Sequence, residues 1–308
     1  MSLKRIVVAV DGSPSTERVL SVAEQLARSS GALLQIVCVV TPPHSYMRVT
    51  EKVSEPGEFE AGYFRELLSR LESQARHSGV RQVEHALLEG SPAEAILESL
   101  GAEPPDLLVV GSRGRTGTRR LLLGSVSNAL VQVAPCPVLV VRPPPHGEDP
   151  GRTLAVRNIS VAVDGSHPAE LAVELGTSLA KALGGVLTLV TVIPPSPRVG
   201  PEGTATESER AHHAHLVEEL RGRLTDHLKD VRFEIYEGSP ADRLLEHTET
   251  HPSEILVVGS RGLSRTQRVL LGSVSQALVN HASVPVLVVR AREPAQAGRS
   301  SQGKRPTP

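Results

Sequence analysis

The amino-acid sequence repeats itself, and this internal repeat constrains the fold more than any other feature. Four short segments of the first half return in the second half in the same order. They begin at Arg5, Val109, Leu122 and Pro137, and return at Asn158, Val257, Leu270 and Pro285. Because a chain of 308 residues is long enough to give each copy a core, the repeat predicts two domains of one fold.

The stretches between and after the copies have a different composition. Residues 143–157 begin with a proline- and glycine-rich run without an apolar period, which is typical of a linker. Residues 291–308 are polar and contain proline, so we expect a disordered tail. The sequence therefore predicts a first domain over residues 1–142 and a second over residues 158–290.

Within each copy, short aliphatic runs alternate with longer segments of helical period, which indicates parallel strands joined by helices. In the first copy we expect strands at 5–10, 33–40, 82–89, 107–110 and 138–141, and in the second copy strands that start near 159, 186, 232, 255 and 286. The first, fourth and fifth runs are almost entirely Val, Ile and Leu, which predicts strands buried on both faces. The fold class is α/β and Rossmann-like, with helices on both faces of each sheet.

The helix after the first strand is predicted to begin near Ser15, whose hydroxyl would cap it, and to stop at Gly31. Gly184 and Gly185 end the equivalent helix. The segments 41–62 and 194–207 are rich in proline, glycine and polar residues, and we expect loops that could close over a ligand.

A glycine-rich segment after the fourth strand is the strongest functional signal. Gly111-x2-Gly114-x9-Gly124-Ser125 recurs with identical spacing as Gly259-x2-Gly262-x9-Gly272-Ser273. Glycine at the strand exit lets the backbone approach a ligand and adopt positive φ. Gly124-Ser125 opens the next helix, whose amide groups and dipole favour phosphate. A single Gly-x2-Gly would indicate only a turn, whereas the duplicated long spacing is far more specific.

Asp11 and Asp164 follow the first strand of each copy and would face the same crevice. A carboxylate there can accept hydrogen bonds from ribose hydroxyls or a base amine. Asp-Gly-Ser is also a common turn, in which the aspartate only caps the backbone. Their pairing with the glycine segment in both copies favours the binding role.

Arginines crowd both glycine segments of a chain whose formal net charge is only −1. They are Arg113, Arg115, Arg119, Arg120, Arg261, Arg265 and Arg268. Such side chains can bind phosphate, although a solvated loop explains at least half of them. Arg113 and Arg261 occupy equivalent positions and are the preferred candidates.

Other features restrict the function. His212, His213 and His215 are assigned to an exposed face of a helix that begins near Glu207, and a metal site is disfavoured there. Cys38 and Cys136 lie in apolar runs and are assigned to core packing, which suits a cytoplasmic protein. The balanced charge, 2% aromatic residues and lack of tryptophan disfavour nucleic acid as a partner, and no run is long enough to cross a membrane. P-loop, dinucleotide-binding and nucleophile-elbow motifs are absent from the sequence.

Together these motifs resemble the universal stress protein family in its tandem two-domain form. The resemblance rests on the two aspartates, the duplicated glycine signature and the Pro-Val-Leu-Val-Val segments that close both copies. It implies an open five-stranded parallel sheet of order 3-2-1-4-5 in each domain. It also implies that the fifth strands pair across a pseudo-two-fold axis, which makes an internal pseudo-dimer and leaves a homodimer open.

The resemblance also implies the ligand and its contacts. ATP would bind twice, with or without Mg²⁺. Asp11 would contact the adenosine, the backbone of Val39 would bind adenine, and the glycine segment with Ser125 would hold ribose and phosphates. The equivalent residues of the second copy are Asp164, Val192, Gly259, Gly262, Gly272 and Ser273.

Three functions remain open from the sequence. The first is a cytoplasmic stress-response regulator and nucleotide sensor with an unknown regulatory protein partner. It is favoured because the binding signature lacks an evident catalytic base, nucleophile or metal cluster. The second is a slow ATPase or nucleotidyl-transfer enzyme, and the third is a nucleotide-free dimerisation module.

Overall fold

The structure of the chain is a computed structural model. It describes residues 3–41, 56–101, 103–114, 123–143, 154–195, 205–225, 228, 230–251, 253–262 and 271–290. The tail predicted over residues 291–308 and most of the predicted linker lie outside the described residues.

The first domain alternates strands and helices, as the sequence predicts. Its strands are β1 (Arg5–Val10), β2 (Leu33–Val40), β3 (Val83–Glu89), β4 (Leu107–Gly111) and β5 (Val138–Val141). Its helices are α1 (Thr16–Ser30), α2 (Pro56–His77), α3 (Pro92–Leu100) and α4 (Ser125–Val133).

The second domain repeats this order. Its strands are β6 (Asn158–Val163), β7 (Val186–Ile193), β8 (Val231–Glu237), β9 (Ile255–Gly259) and β10 (Val286–Val289). Its helices are α5 (His167–Leu183), α6 (Glu207–Leu224), α7 (Pro240–Thr250) and α8 (Ser273–His281).

The strand order is β3-β2-β1-β4-β5-β10-β9-β6-β7-β8, so each domain has the predicted order 3-2-1-4-5. Neighbouring strands inside each domain are parallel, whereas β5 and β10 pair antiparallel and join both domains into one sheet. Leu139 and Leu287 face each other at this junction, and both are fully buried. The implied internal pseudo-dimer is therefore confirmed.

The core consists of two clusters, one on each face of the sheet. Helices α1, α2, α5 and α6 contribute to one cluster, and α3, α4, α7 and α8 contribute to the other. The central strands contribute aliphatic side chains to both clusters, which is why their sequences are apolar without alternation. Cys38 and Cys136 are buried in opposite clusters, as predicted.

Two arginines also cross the junction in reciprocal directions. Arg142, just after β5, donates to the carbonyl of Val279 in α8, and Arg290, just after β10, donates to the carbonyl of Val131 in α4 at 2.6 Å. Burial, with a smaller contribution from the charge of Arg113, lowers the pKa of Arg142 to about 10. The side chain therefore stays cationic at neutral pH.

Two local predictions are wrong. The Ser15 side chain does not cap α1; its hydroxyl lies 2.8 Å from that of Ser13, whose carbonyl binds the amide of Thr16. The predicted loop 41–62 ends early because α2 begins at Pro56, where the fixed φ of proline suits a first helical turn. Gly31 and Gly184 do end their helices in the left-handed conformation.

Among the described residues, no helix is both long enough and apolar enough to cross a membrane.

The junction gives the first prediction. Leu287→Ala should lower the free energy of unfolding by about 2 to 5 kcal/mol, because it leaves a cavity between the two fifth strands. Val133→Ala is the matched control, since Val133 is 47% exposed, and it should change the stability by less than about 0.5 kcal/mol. Urea denaturation followed by circular dichroism measures both values; equal losses would show that the junction is not tightly packed.

Candidate functional site

Two cavities open at the carboxyl ends of the parallel strands, one in each domain. The first has a volume of about 760 Å³ and the second about 360 Å³. Both volumes lie in the range of roughly 300 to 1,000 Å³ that is typical of small-molecule sites. Their position outside the strand ends is the one at which open α/β sheets bind ligands.

All the predicted site residues line these cavities. In the first cavity they are Asp11, Val39, Gly111, Arg113, Gly114, Gly124 and Ser125. In the second they are Asp164, Val192, Gly259, Arg261, Gly262, Gly272 and Ser273. The fold thus brings together residues that are more than a hundred positions apart in each copy.

A backbone hydrogen bond connects the two described ends of each glycine segment. The amide of Gly124 donates to the carbonyl of Ser112 at 2.9 Å, and the amide of Gly272 donates to the carbonyl of Ser260 at 2.8 Å. These bonds hold the start of α4 and α8 beside the exits of β4 and β9. Residues 115–122 and 263–270, including the remaining loop arginines, lie outside the described residues.

A second serine in each copy strengthens this connection, and the sequence analysis did not identify it. The hydroxyl of Ser127 donates to the carbonyl of Gly111 at 2.5 Å, and that of Ser275 donates to the carbonyl of Gly259 at 2.7 Å. Both serines are buried. The repeated Gly-Ser-Val-Ser sequence was the available signal, because its second serine is preserved in both copies.

The first turns of α4 and α8 present polar groups to the cavities. Gly124 and Gly272 are their N-cap residues, and neither helix has a side-chain cap. The first amide groups of a helix have no acceptor within it and carry the positive end of its dipole. The hydroxyls of Ser125 and Ser273 are available beside them, so each site can receive an anion such as phosphate.

The positive φ expected of the loop glycines is wrong, and at Gly114 and Gly262 glycine is required instead because a Cβ has no space. None of the six glycines that line the cavities has a positive φ. A Cβ on Gly114 would lie 2.9 Å from Oδ2 of Asp11, and one on Gly262 would lie 2.5 Å from Oδ2 of Asp164. Any larger residue there would collide with the aspartate.

Asp11 and Asp164 combine the two roles that the sequence left open. Their Oδ1 atoms accept hydrogen bonds from the amides of Ser13 and Ser166 at 3.0 and 2.9 Å, which is the turn role. Their Oδ2 atoms lie beside the loop glycines, and both residues line the cavities. One oxygen therefore fixes the turn while the other remains available to a ligand.

The two preferred arginines lie at the cavities in different ways. Arg113 lines the first cavity, and its buried Nε has no hydrogen-bond partner among the described residues. Arg261 lines the second cavity, and its carbonyl accepts the hydroxyl of Ser166 at 3.3 Å. An unsatisfied buried guanidinium nitrogen is costly, so a ligand acceptor near Arg113 would be favourable.

His213 is the one histidine of α6 that the sequence analysis misplaced. It is 8% exposed rather than on the exposed face, it lines the second cavity, and its Nδ1 lies 2.8 Å from Oγ1 of Thr191. Burial lowers its pKa, an effect that the charge of nearby His212 reinforces and that of Asp164 opposes. The neutral ring is thus favoured near pH 7.

The same place in the first domain is apolar. Positions 64, 68, 71 and 75 of α2 are buried with the same spacing as positions 213, 217, 220 and 224 of α6. Phe64 therefore corresponds to His213. Cys38 occupies the strand position that Thr191 occupies in the second copy. The two cavities therefore share their loops but differ in volume and in the polarity of one wall.

The fold and the duplicated loop define a class: tandem α/β domains with an anion-accepting crevice in each copy. In a comparison with known protein families, the chain matches the universal stress protein family over residues 2–142 and again over residues 155–290. The chain belongs to the universal stress protein family and carries two of its domains in tandem.

Individual relatives agree with this assignment. A universal stress protein of Thermus aquaticus is 38% identical over 45% of this chain and 98% of its own length. A universal stress protein of Mycolicibacterium smegmatis is 29% identical over 93% of this chain and 97% of its own. The crystal structure of a universal stress protein from Archaeoglobus fulgidus has a TM-score of 0.69 and 20% identity, and it covers 94% of this chain and 99% of its own, which supports the fold alone.

The serines of α8 give the second prediction. Ser275→Ala should lower the free energy of unfolding by about 1 to 3 kcal/mol, because it removes the hydroxyl bound to the buried carbonyl of Gly259. Ser273→Ala, two residues earlier and exposed, should leave stability within about 0.5 kcal/mol of the wild type. Thermal and urea unfolding of both variants test this difference, and a loss of stability only in Ser273→Ala would contradict it.

Proposed function

We propose that both cavities bind an adenine nucleotide, with ATP as the principal ligand, and that occupancy regulates a cytoplasmic stress response through a protein partner. The observation that carries the proposal is the uncapped helix start held beside a strand exit and a carboxylate, in the same arrangement twice. It supplies separate recognition groups for phosphate and for sugar within one crevice.

Different residues would bind the phosphates, the ribose and the base of the nucleotide. The first amides of α4, the hydroxyl of Ser125 and the guanidinium of Arg113 would hold phosphates. Oδ2 of Asp11 would accept a ribose hydroxyl, and the end of β2 at Val39 would receive the base. The second domain would repeat these contacts through α8, Ser273, Arg261, Asp164 and Val192.

The proposed role is regulatory rather than catalytic. Bound nucleotide would connect strand ends to helix starts, and α4 and α8 each accept an arginine from the opposite domain. Occupancy of one cavity can therefore bias the junction that both domains share. A cytoplasmic location is consistent with the burial of both cysteines in the core.

The third prediction concerns stoichiometry. Isothermal titration of the full chain with ATP should reveal two sites, while Asp11→Ala and Asp164→Ala should each weaken the site in their own domain and leave the other site able to bind. Loss of the hydrogen bond that a ligand hydroxyl donates to the carboxylate should weaken the affected site by about tenfold or more.

Two controls separate binding from folding. Asp11→Asn keeps an oxygen that can accept from the amide of Ser13, so it tests the carboxylate charge without removing the turn. Glu218→Ala removes a carboxylate from the exposed surface of α6 and should bind ATP like the wild type. Wild-type protein without saturable ATP binding would refute the proposal.

The fourth prediction separates binding from turnover. Mass spectrometry of the denatured, freshly purified chain should detect a co-purified adenine nucleotide. Incubation with ATP should then yield no more ADP from the wild type than from the Asp11→Ala, Asp164→Ala double variant. Turnover that the double variant abolishes would instead identify an ATPase, and the absence of nucleotide together with the absence of binding would favour the dimerisation module.

A further inference from the structure

A cluster of ionisable side chains lies at the outer edge of the second domain. It is near the half of α7 that is farther from the second cavity. It comprises Glu234 on the edge strand β8, His247 on α7 and His251 just beyond α7. One ligand atom of each residue lies within 4.8 Å of the others. Nδ1 of His247 is 3.1 Å from Oε2 of Glu234, and Nε2 of His251 is 3.7 Å from Oε1 of the same carboxylate.

Hydrogen bonds around His251 favour the tautomer whose proton is on the nitrogen that faces away from this carboxylate. The hydroxyl of Thr250 donates to the carbonyl of Glu246 at 2.8 Å, so its oxygen accepts the proton of Nδ1 of His251 at 2.9 Å. Nε2 of His251 then carries a lone pair directed towards Glu234.

His247 has a similar arrangement deeper in the domain. Its Nε2 lies 2.8 Å from the hydroxyl of Ser160, which can accept the ring proton, and its side chain is 1% exposed. In that tautomer Nδ1 also presents a lone pair to Glu234. Two ring nitrogens and a carboxylate oxygen that lie within 4.8 Å of one another form a set of donors that a single cation can use.

The carboxylate has its own support. The hydroxyl of Tyr236 donates to Oε2 of Glu234 and lies 3.3 Å from Nδ1 of His247. The rings of His247 and His251 stack with centroids 4.6 Å apart. Each candidate ligand is therefore oriented by a neighbouring polar group, which is the arrangement that surrounds metal ligands in proteins.

The first domain shows that the fold does not need this cluster. By the repeat, Val7 corresponds to Ser160, Ala86 to Glu234, Leu88 to Tyr236 and Ser99 to His247. Val7 is a core residue, and Ala86 and Leu88 pack against that core. The second copy therefore carries polar residues at three positions that are apolar in the first, and they form one cluster in which Ser160 contacts His247 and Tyr236 donates to Glu234.

From this geometry we propose that Glu234, His247 and His251 bind one divalent transition-metal ion, with Zn²⁺ as the best fit and water in a fourth position. Nitrogen and oxygen ligands at about 2.0 to 2.2 Å from tetrahedral zinc lie roughly 3.3 to 3.5 Å from one another. The two ring nitrogens lie 3.1 and 3.7 Å from the two different oxygens of Glu234, so side-chain rotation would be needed to bring one oxygen and both nitrogens to that spacing. His251 is 41% exposed, which gives the ion and the water access from solvent. The ion would join β8 to α7, whose first turns line the second cavity.

Isothermal titration with ZnCl₂ tests the proposal on the full, untagged chain after removal of metal with a chelator and without added nucleotide. The wild type should bind one Zn²⁺ in this cluster. His251→Ala and Glu234→Ala should each weaken that binding at least tenfold, and Ser160→Val should weaken it by about tenfold through His247. Ala and Val are the residues that the first domain carries at positions 86 and 7, so these two changes suit the same backbone.

A second readout and a matched control complete the test. Zn²⁺ should raise the Tm of the wild type but not that of His251→Ala, which changes a partly exposed side chain and should remain folded. The control is His212→Ala combined with His215→Ala, which removes two exposed histidines of α6 and should leave binding unchanged. The proposal is overturned if the wild type shows no saturable binding, if His251→Ala binds like the wild type, or if only the control loses the ion.

Discussion

The antiparallel pairing of β5 with β10 is the contact on which the rest of the molecule depends. It turns two five-stranded sheets into one and buries Leu139 against Leu287 at the centre. The arginine that follows each of these strands binds a carbonyl near the C-terminal end of a helix in the opposite domain. The N-terminal end of that helix forms part of the cavity wall. The two domains are therefore connected both by the shared sheet and by these reciprocal side-chain hydrogen bonds.

Each cavity is formed by the same local arrangement of backbone and side chains. A strand leaves the sheet at a glycine, the chain returns to begin a helix, and one backbone bond with one buried serine hydroxyl fixes the helix start beside the strand exit. The helix start is left uncapped, so its amide groups remain available. The hydrogen bonds that connect the helix start to the strand exit do not use the first helical amides, so these donors are not consumed by the connection.

The two copies share this arrangement of strand exit and helix start, but the residues around it differ. Phe64 and Cys38 in the first domain correspond to His213 and Thr191 in the second, so one cavity wall becomes polar. Ala86 and Leu88 on the edge strand and Val7 on the middle strand correspond to Glu234, Tyr236 and Ser160 in the second domain. A duplicated fold permits such divergence because the backbone ladder is held by main-chain groups, which leaves many side chains open to change.

The repeat, the strands and the loop residues at both cavities could be predicted from the sequence, because these depend on apolar runs and on spacing within a short stretch of chain. The cap at Ser15 was wrong because its hydroxyl pairs with that of Ser13, and the surface position of His213 was wrong because a helical period does not show what packs against each face. The assembled fold was needed to show that Gly114 and Gly262 leave room for Asp11 and Asp164, and that Glu234 meets His247 and His251. Those relations join strands and helices that are distant in sequence, and their distances are set only when the sheet and its two layers of helices are assembled.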